Sequence, residues 1–169
     1  MAGCLFLLFG VFPLAVFAHN GQVALAVPVQ GIVVDGDLGD WPAEMRTYPL
    51  MHTVAGTPPQ SKADFTGTFR VGYEVSANAL YIAVEVRDES IVTKPDEWHI
   101  WNSQDGCQVL VDWEHGALAR LAQYTVYGDL GRAYAGSGVV ELAAREEVHL
   151  GVRRCLGVHR YEWRIDMGA

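Results

Sequence analysis

Residues 64–75, DFTGTFRVGYEV, carry the most restrictive pattern in the chain. Phe65, Phe69, Val71, Tyr73 and Val75 fall on one parity, and Thr66, Thr68, Arg70 and Glu74 on the other. Side chains alternate across a strand with period two, so the segment is predicted to be a strand with one dry and one wet face. Ser76 to Asn78 are turn residues, and the chain returns with Leu80, Ile82, Val84 and Val86 on a single parity. The pair reads as a β-hairpin whose dry face something else in the chain must cover.

The covering material also reads as strands. Residues 107–111 form another short apolar run, so residues 80–112 are two strands around an acidic, Trp-bearing loop. Loops held at both ends by rigid strands are where sites usually sit. Residues 118–127 are ambiguous: they can begin as a helical turn and continue as a strand through Tyr124 and Val126. Residues 139–144, 148–152 and 160–165 are further short apolar runs, preceded by breakers at Gly128, Gly131, Gly136 and Gly138. Many short strands, with no sustained helical period, indicate an all-β chain: an antiparallel β-sandwich with jelly-roll-like or immunoglobulin-like layers.

Ahead of the hairpin, residues 34–42 read VDGDLGDWP. Asp35, Asp37 and Asp40 there fit a capped turn, because short acidic side chains accept hydrogen bonds from nearby amides. An EF-hand-type calcium loop would need a glutamate at its twelfth position, where Arg46 stands. Trp41 is expected to pack into the core. Residues 52–63 are rich in Pro, Gly and polar side chains and read as an exposed loop.

Residues 1–18 are an apolar run ending in Val16, Phe17 and Ala18, the pattern of a signal peptide or a short N-terminal membrane anchor. Residues 19–30 then read as a linker and residues 31–169 as one domain. A mature chain of about 150 residues buries roughly two thirds of its unfolded surface, enough for one core. The formal charge of −8, with Lys62 and Lys94 the only lysines, excludes the basic footprint that nucleic acid or an anionic membrane surface requires. An exported chain would retain Cys107 and Cys155, either bridged or as two free thiols, and two thiolates cannot make a four-cysteine zinc site.

Catalytic signatures are absent from the sequence. It contains no HExxH, no phosphate-binding loop and no dinucleotide fingerprint, and residues 135–139 lack the first glycine of a nucleophile elbow. His52, His99, His115, His149 and His159 are scattered without ligand spacing. Trp98 and Trp101, in a polar loop, suit stacking on the flat C–H face of a sugar as well as they suit capping a sandwich edge.

Four motifs in order resemble the family 9 carbohydrate-binding modules: IVVDGDLGDWP, FRVGYEVSANALYIAVEVRDESIV, WNSQDGCQVLVD and RYEWRI, spanning residues 31–166. The resemblance implies a non-catalytic β-sandwich, stiffened by calcium, that holds a mono- or oligosaccharide between two Trp side chains. Carried onto this sequence, the first stacking residue is Trp101, with Trp98 beside it as a second candidate because one extra residue precedes Asp105. Asp105 matches the motif's aspartate. Gln108 stands where the family has an acidic hydrogen-bonding residue, and Thr125 where it has an arginine. The second stacking Trp would follow RYEWRI, so the sandwich is expected to lack its last strands. The implied calcium would draw on Asp88, Glu89 and Asp105, hard oxygens near strand ends.

The expectation is thus an exported carbohydrate-binding module, periplasmic or extracellular, with a membrane tether only through an N-terminal anchor or a downstream segment. It would form the extracytoplasmic part of a larger sensor or polysaccharide-active protein. Two alternatives stand beside it. One is a haem-binding electron-transfer sandwich using Met45, Met51 or Lys62, and the other is a protein-interaction module with no small ligand.

Overall fold

The structure is a computed structural model that describes residues 23–53, 56–93, 103–112, 121–127, 130–135, 138–141 and 147–168. Its strands are β1 (Val27–Pro28), β2 (Tyr48–Pro49), β3 (Thr66–Glu74), β4 (Ala79–Arg87), β5 (Gly106–Asp112), β6 (Leu121–Tyr127), β7 (Leu130–Ala135), β8 (Gly138–Glu141), β9 (Val148–Cys155) and β10 (Val158–Asp166). Among the described residues there is no α-helix, only a 3₁₀ turn at Leu38–Asp40.

The predicted hairpin lies inside the larger sheet. β3 pairs antiparallel with β4, from Thr66 opposite Arg87 to Glu74 opposite Ala79. The six-stranded sheet runs β1-β3-β4-β10-β9, with β2 also on β3, and the four-stranded sheet runs β5-β6-β7-β8. Val84, Tyr161, Trp163 and Ile165 of the larger sheet pack with Val109, Ala122, Tyr124 and Val126 of the smaller one in a single core. Two sheets closed over a shared apolar layer are a β-sandwich, as the alternation implies. The dry face of β3 ends before its turn, with Tyr73 and Val75 exposed.

The larger sheet is also dry on its far side. Ala79, Tyr81 and Ala83 of β4 face away from the smaller sheet and are covered by Val29, Trp41 and Met45 in a second core. An aromatic residue of this kind removes about 150–250 Å² from water, on the order of 4–6 kcal/mol at ~25 cal/mol per Å². Trp41 therefore does pack into a core, but not the one between the sheets. The residues read as a linker up to position 30 enter the domain earlier, because β1 pairs parallel with β3 and Val29 is buried. Apolar side chains that close a sheet face are recruited even from a segment too short to look like a strand.

A buried carboxylate latches this N-terminal cover to the sheet. Glu162, fully buried on β10, accepts hydrogen bonds from Trp41 Nε1 at 2.6 Å and from the Asp35 and Gly36 amides at 3.0 Å each. The turn can come this close only because two glycines face each other. A Cβ at Gly151 would lie 2.5 Å from the Gly36 nitrogen, and Gly36 itself holds φ at 80°. Asp35, Asp37 and Asp40 behave as the capped turn predicted. Asp35 accepts from the Asp37 amide, Asp37 caps the 3₁₀ turn through Gly39, and Asp40 accepts from the Val33 amide.

Residues 121–127 are strand, as the reading through Tyr124 and Val126 expects, and the ambiguous start of that segment lies outside the described residues. β7 runs through Gly131, a residue read as a breaker, because ladder bonds to β6 and β8 hold a strand there regardless of local propensity. β9 and β10 join through a two-residue turn in which Leu156 and Gly157 both have positive φ, 47° and 75°.

Candidate functional site

β5 is an edge strand of the smaller sheet and carries the site candidates. Cys107, Val109 and Val111 point to the core, so Gln108 and Leu110 point outward by alternation. Gln108 stands opposite Thr125 of β6, Thr125 opposite Arg132 of β7, and Arg132 opposite Glu141 of β8. One polar register row therefore crosses all four strands. Gln108 Nε2 donates to Thr125 Oγ1 at 3.1 Å. Thr125 is 1% exposed and Gln108 is exposed, so the threonine holds the amide and the glutamine presents it. Cross-strand pairing thus brings together two candidates that lie seventeen positions apart. Trp98 and Trp101 lie outside the described residues.

The acidic candidates are near strand ends, as expected. Asp105 donates its amide to the Val92 carbonyl at 2.8 Å and accepts from the Val92 amide through Oδ2 at 2.7 Å, a reciprocal pair that pins the loop between β4 and β5. Asp88 Oδ1 accepts from the Ser90 amide and hydroxyl at 2.8 and 3.0 Å. Asp88 and Asp105 line one cavity of about 210 Å³ beneath the β5 edge, and exposed Glu89 does not line it. Calcium takes six to eight oxygens. Among the described residues no group of three or more His, Cys, Asp or Glu is arranged to hold a metal ion.

The same cavity contains residues that motif reading passed over: Phe65, His159 and Tyr161. His159 is buried, and neither ring nitrogen has a hydrogen-bond partner among the described residues. The signal was present in the parity of residues 158–166, where His159 shares the inward positions of Tyr161, Trp163 and Ile165. Cys107 also lines the cavity, and burial pushes its thiol up to about 12, which removes it as a nucleophile near neutral pH. Cys107 and Cys155 are both free thiols. For the haem alternative, Met45 belongs to the second core, while Met51 and Lys62 are exposed.

A second concavity, about 400 Å³, opens on the outer face of the larger sheet between β3, β4 and the 3₁₀ turn. It forms because Ala83, between Arg70 and Glu162 in the register row, is too small to fill the space above the sheet. Arg160 Nε donates to Glu85 Oε2 at 2.9 Å on its wall, and Arg153 pairs with Asp37 at 2.5 Å at its rim. The Gly39 amide and then Arg153 hold the Asp37 carboxyl below its usual value.

No protein-family model matches the chain, and none of the curated proteins does. Among solved structures, a carbohydrate binding module family 9 from Caldicellulosiruptor kristjanssonii has this fold. In its complex with cellotriose it superimposes with a TM-score of 0.66 at 17% identity, over 87% of this chain and 69% of that one. In its complex with glucose the values are 0.64 and 18%, over 85% and 68%. At such identity the likeness is one of fold, and it is the fold that the four sequence motifs imply.

Proposed function

We propose that the chain is a non-catalytic carbohydrate-binding module that takes a mono- or oligosaccharide on the outer face of its smaller sheet. The observation that carries this reading is the Gln108–Thr125 pair, an exposed amide held in place by a buried hydroxyl. It supports sugar binding because hydroxyls need a few oriented donors and acceptors, and an amide held by a second side chain loses little entropy on binding. The fold supports it as well, being that of modules solved with cellotriose and glucose. Trp101, with Trp98 beside it, supplies the stacking surface in this reading. Export, and a place in the extracytoplasmic part of a sensor or polysaccharide-active protein, belong to the same proposal.

The test is isothermal titration with glucose, cellotriose and xylo-oligosaccharides. Binding of at least one is expected, weakened about tenfold or more, or ~1.4 kcal/mol, in Gln108→Ala and in Trp101→Ala. Absence of heat with every one of these sugars refutes the proposal.

A further inference from the structure

We propose that the groove on the outer face of the larger sheet is a second binding site, for a sugar acid whose carboxylate is held by Arg70 and Arg160. The groove lies on the opposite outer face from the Gln108 row, and the inference stands without the sugar reading above.

Three observations converge on an anion. Arg70 lines the groove and has no hydrogen-bond or ion-pair partner among the described residues. Arg160 engages Glu85 through Nε, which leaves both terminal nitrogens without a partner among the described residues and in reach of the groove. The lining holds two guanidinium groups, Arg70 and Arg160, and two carboxylates, but both carboxylates are shared with arginines outside it: Asp37 is paired with Arg153, and Glu85 serves Arg87 as well as Arg160.

The groove selects a carboxylate with hydroxyls around it. A guanidinium fork matches a planar carboxylate in bidentate fashion, which a single ammonium does not do. Thr47 and Thr68 line the same groove and offer hydroxyls that both donate and accept. A concavity of about 400 Å³ has room for a pyranose ring. The ligand class is therefore a uronic acid, either at the end of a polysaccharide or as the free sugar acid.

The experiment is titration of the full chain with glucuronate, glucose and acetate. Glucuronate is expected to bind at least tenfold more tightly than either, and to weaken as salt is raised. Arg70→Ala should weaken glucuronate tenfold or more, and Arg70→Lys, which keeps charge but loses the fork, should fall between Arg70→Ala and the parent. Cellotriose binding should be unchanged in Arg70→Ala, which separates this site from the Gln108 face. An unchanged melting curve for both variants excludes misfolding. Equal affinity for glucuronate and acetate, or glucuronate binding indifferent to Arg70→Ala, overturns the proposal.

Discussion

Replacing Glu162 by glutamine tests whether one buried carboxylate latches the N-terminal cover to the sandwich. The carboxylate accepts three hydrogen bonds, from the Trp41 indole and the Asp35 and Gly36 amides. Glutamine has one acceptor oxygen. If that oxygen keeps the indole, the NH₂ faces two amides; if it keeps the amides, the NH₂ faces the indole. At least one buried donor loses its acceptor at ~1–3 kcal/mol, and in the first arrangement two do. Removal of a desolvated charge offsets part of this loss. The net expectation near neutral pH is a destabilisation of about 1–2 kcal/mol, roughly 2–8 °C in melting temperature for a domain of this size. Urea and thermal unfolding followed by tryptophan fluorescence read it, since Trp41 sits at the latch.

The pH dependence supplies the sign. Burial raises the Glu162 carboxyl above its ordinary 4.5, and its three hydrogen bonds pull it part of the way back. A raised folded value means the fold binds the proton more tightly than the unfolded chain does. The proton-linked part of the Glu162 contribution is thus full below the ordinary value and is lost as pH rises through the folded one. Glutamine does not titrate, so the stability gap between parent and Glu162→Gln should narrow over that interval. A variant as stable as the parent within about 0.5 kcal/mol, with the same pH profile, would refute the latch.

Three further outcomes follow from particular residues. Leu156, exposed and at positive φ, occupies the first central position of the β9–β10 turn; Leu156→Asn should stabilise by roughly 1 kcal/mol in urea unfolding, because Asn-Gly suits that turn. Gly151→Ala places a methyl against the Asp35 and Gly36 backbone and should cost about 1–3 kcal/mol, with Trp41 fluorescence shifting toward that of an exposed indole. Iodoacetamide at mildly alkaline pH should alkylate exposed Cys155 well before Cys107, as read by peptide mass spectrometry, since the Cys107 thiol is held near 12.

The sequence made the large sheet legible wherever one face was wet. β3 alternates apolar with polar residues, and period two is visible there without a structure. It was silent where context overrode propensity, as at Gly131 of β7, and where a face was dry for a second reason. Nothing near Trp41 announces that its partner is Glu162, 121 positions away, because a charge reads as surface until its three donors are seen around it. The candidate site was legible by halves. Gln108 and Thr125 could be named from motifs, but their pairing is a matter of register between β5 and β6. The Arg70 groove had no motif, since it arises from a missing side chain volume at Ala83.

The latch also determines how the molecule bears load. Tension applied through residues 23–26 enters at β1, a two-residue ladder on β3, and then meets the three hydrogen bonds converging on Glu162. The β3–β4–β10 ladders lie behind both and carry nine opposed residue pairs at each junction. A pull from the N-terminal side therefore strips the cover and bares Ala79, Tyr81 and Ala83 before it strains the sandwich. The bonds to Glu162 thus stand between a pull on the N-terminal side and the ladders of the larger sheet.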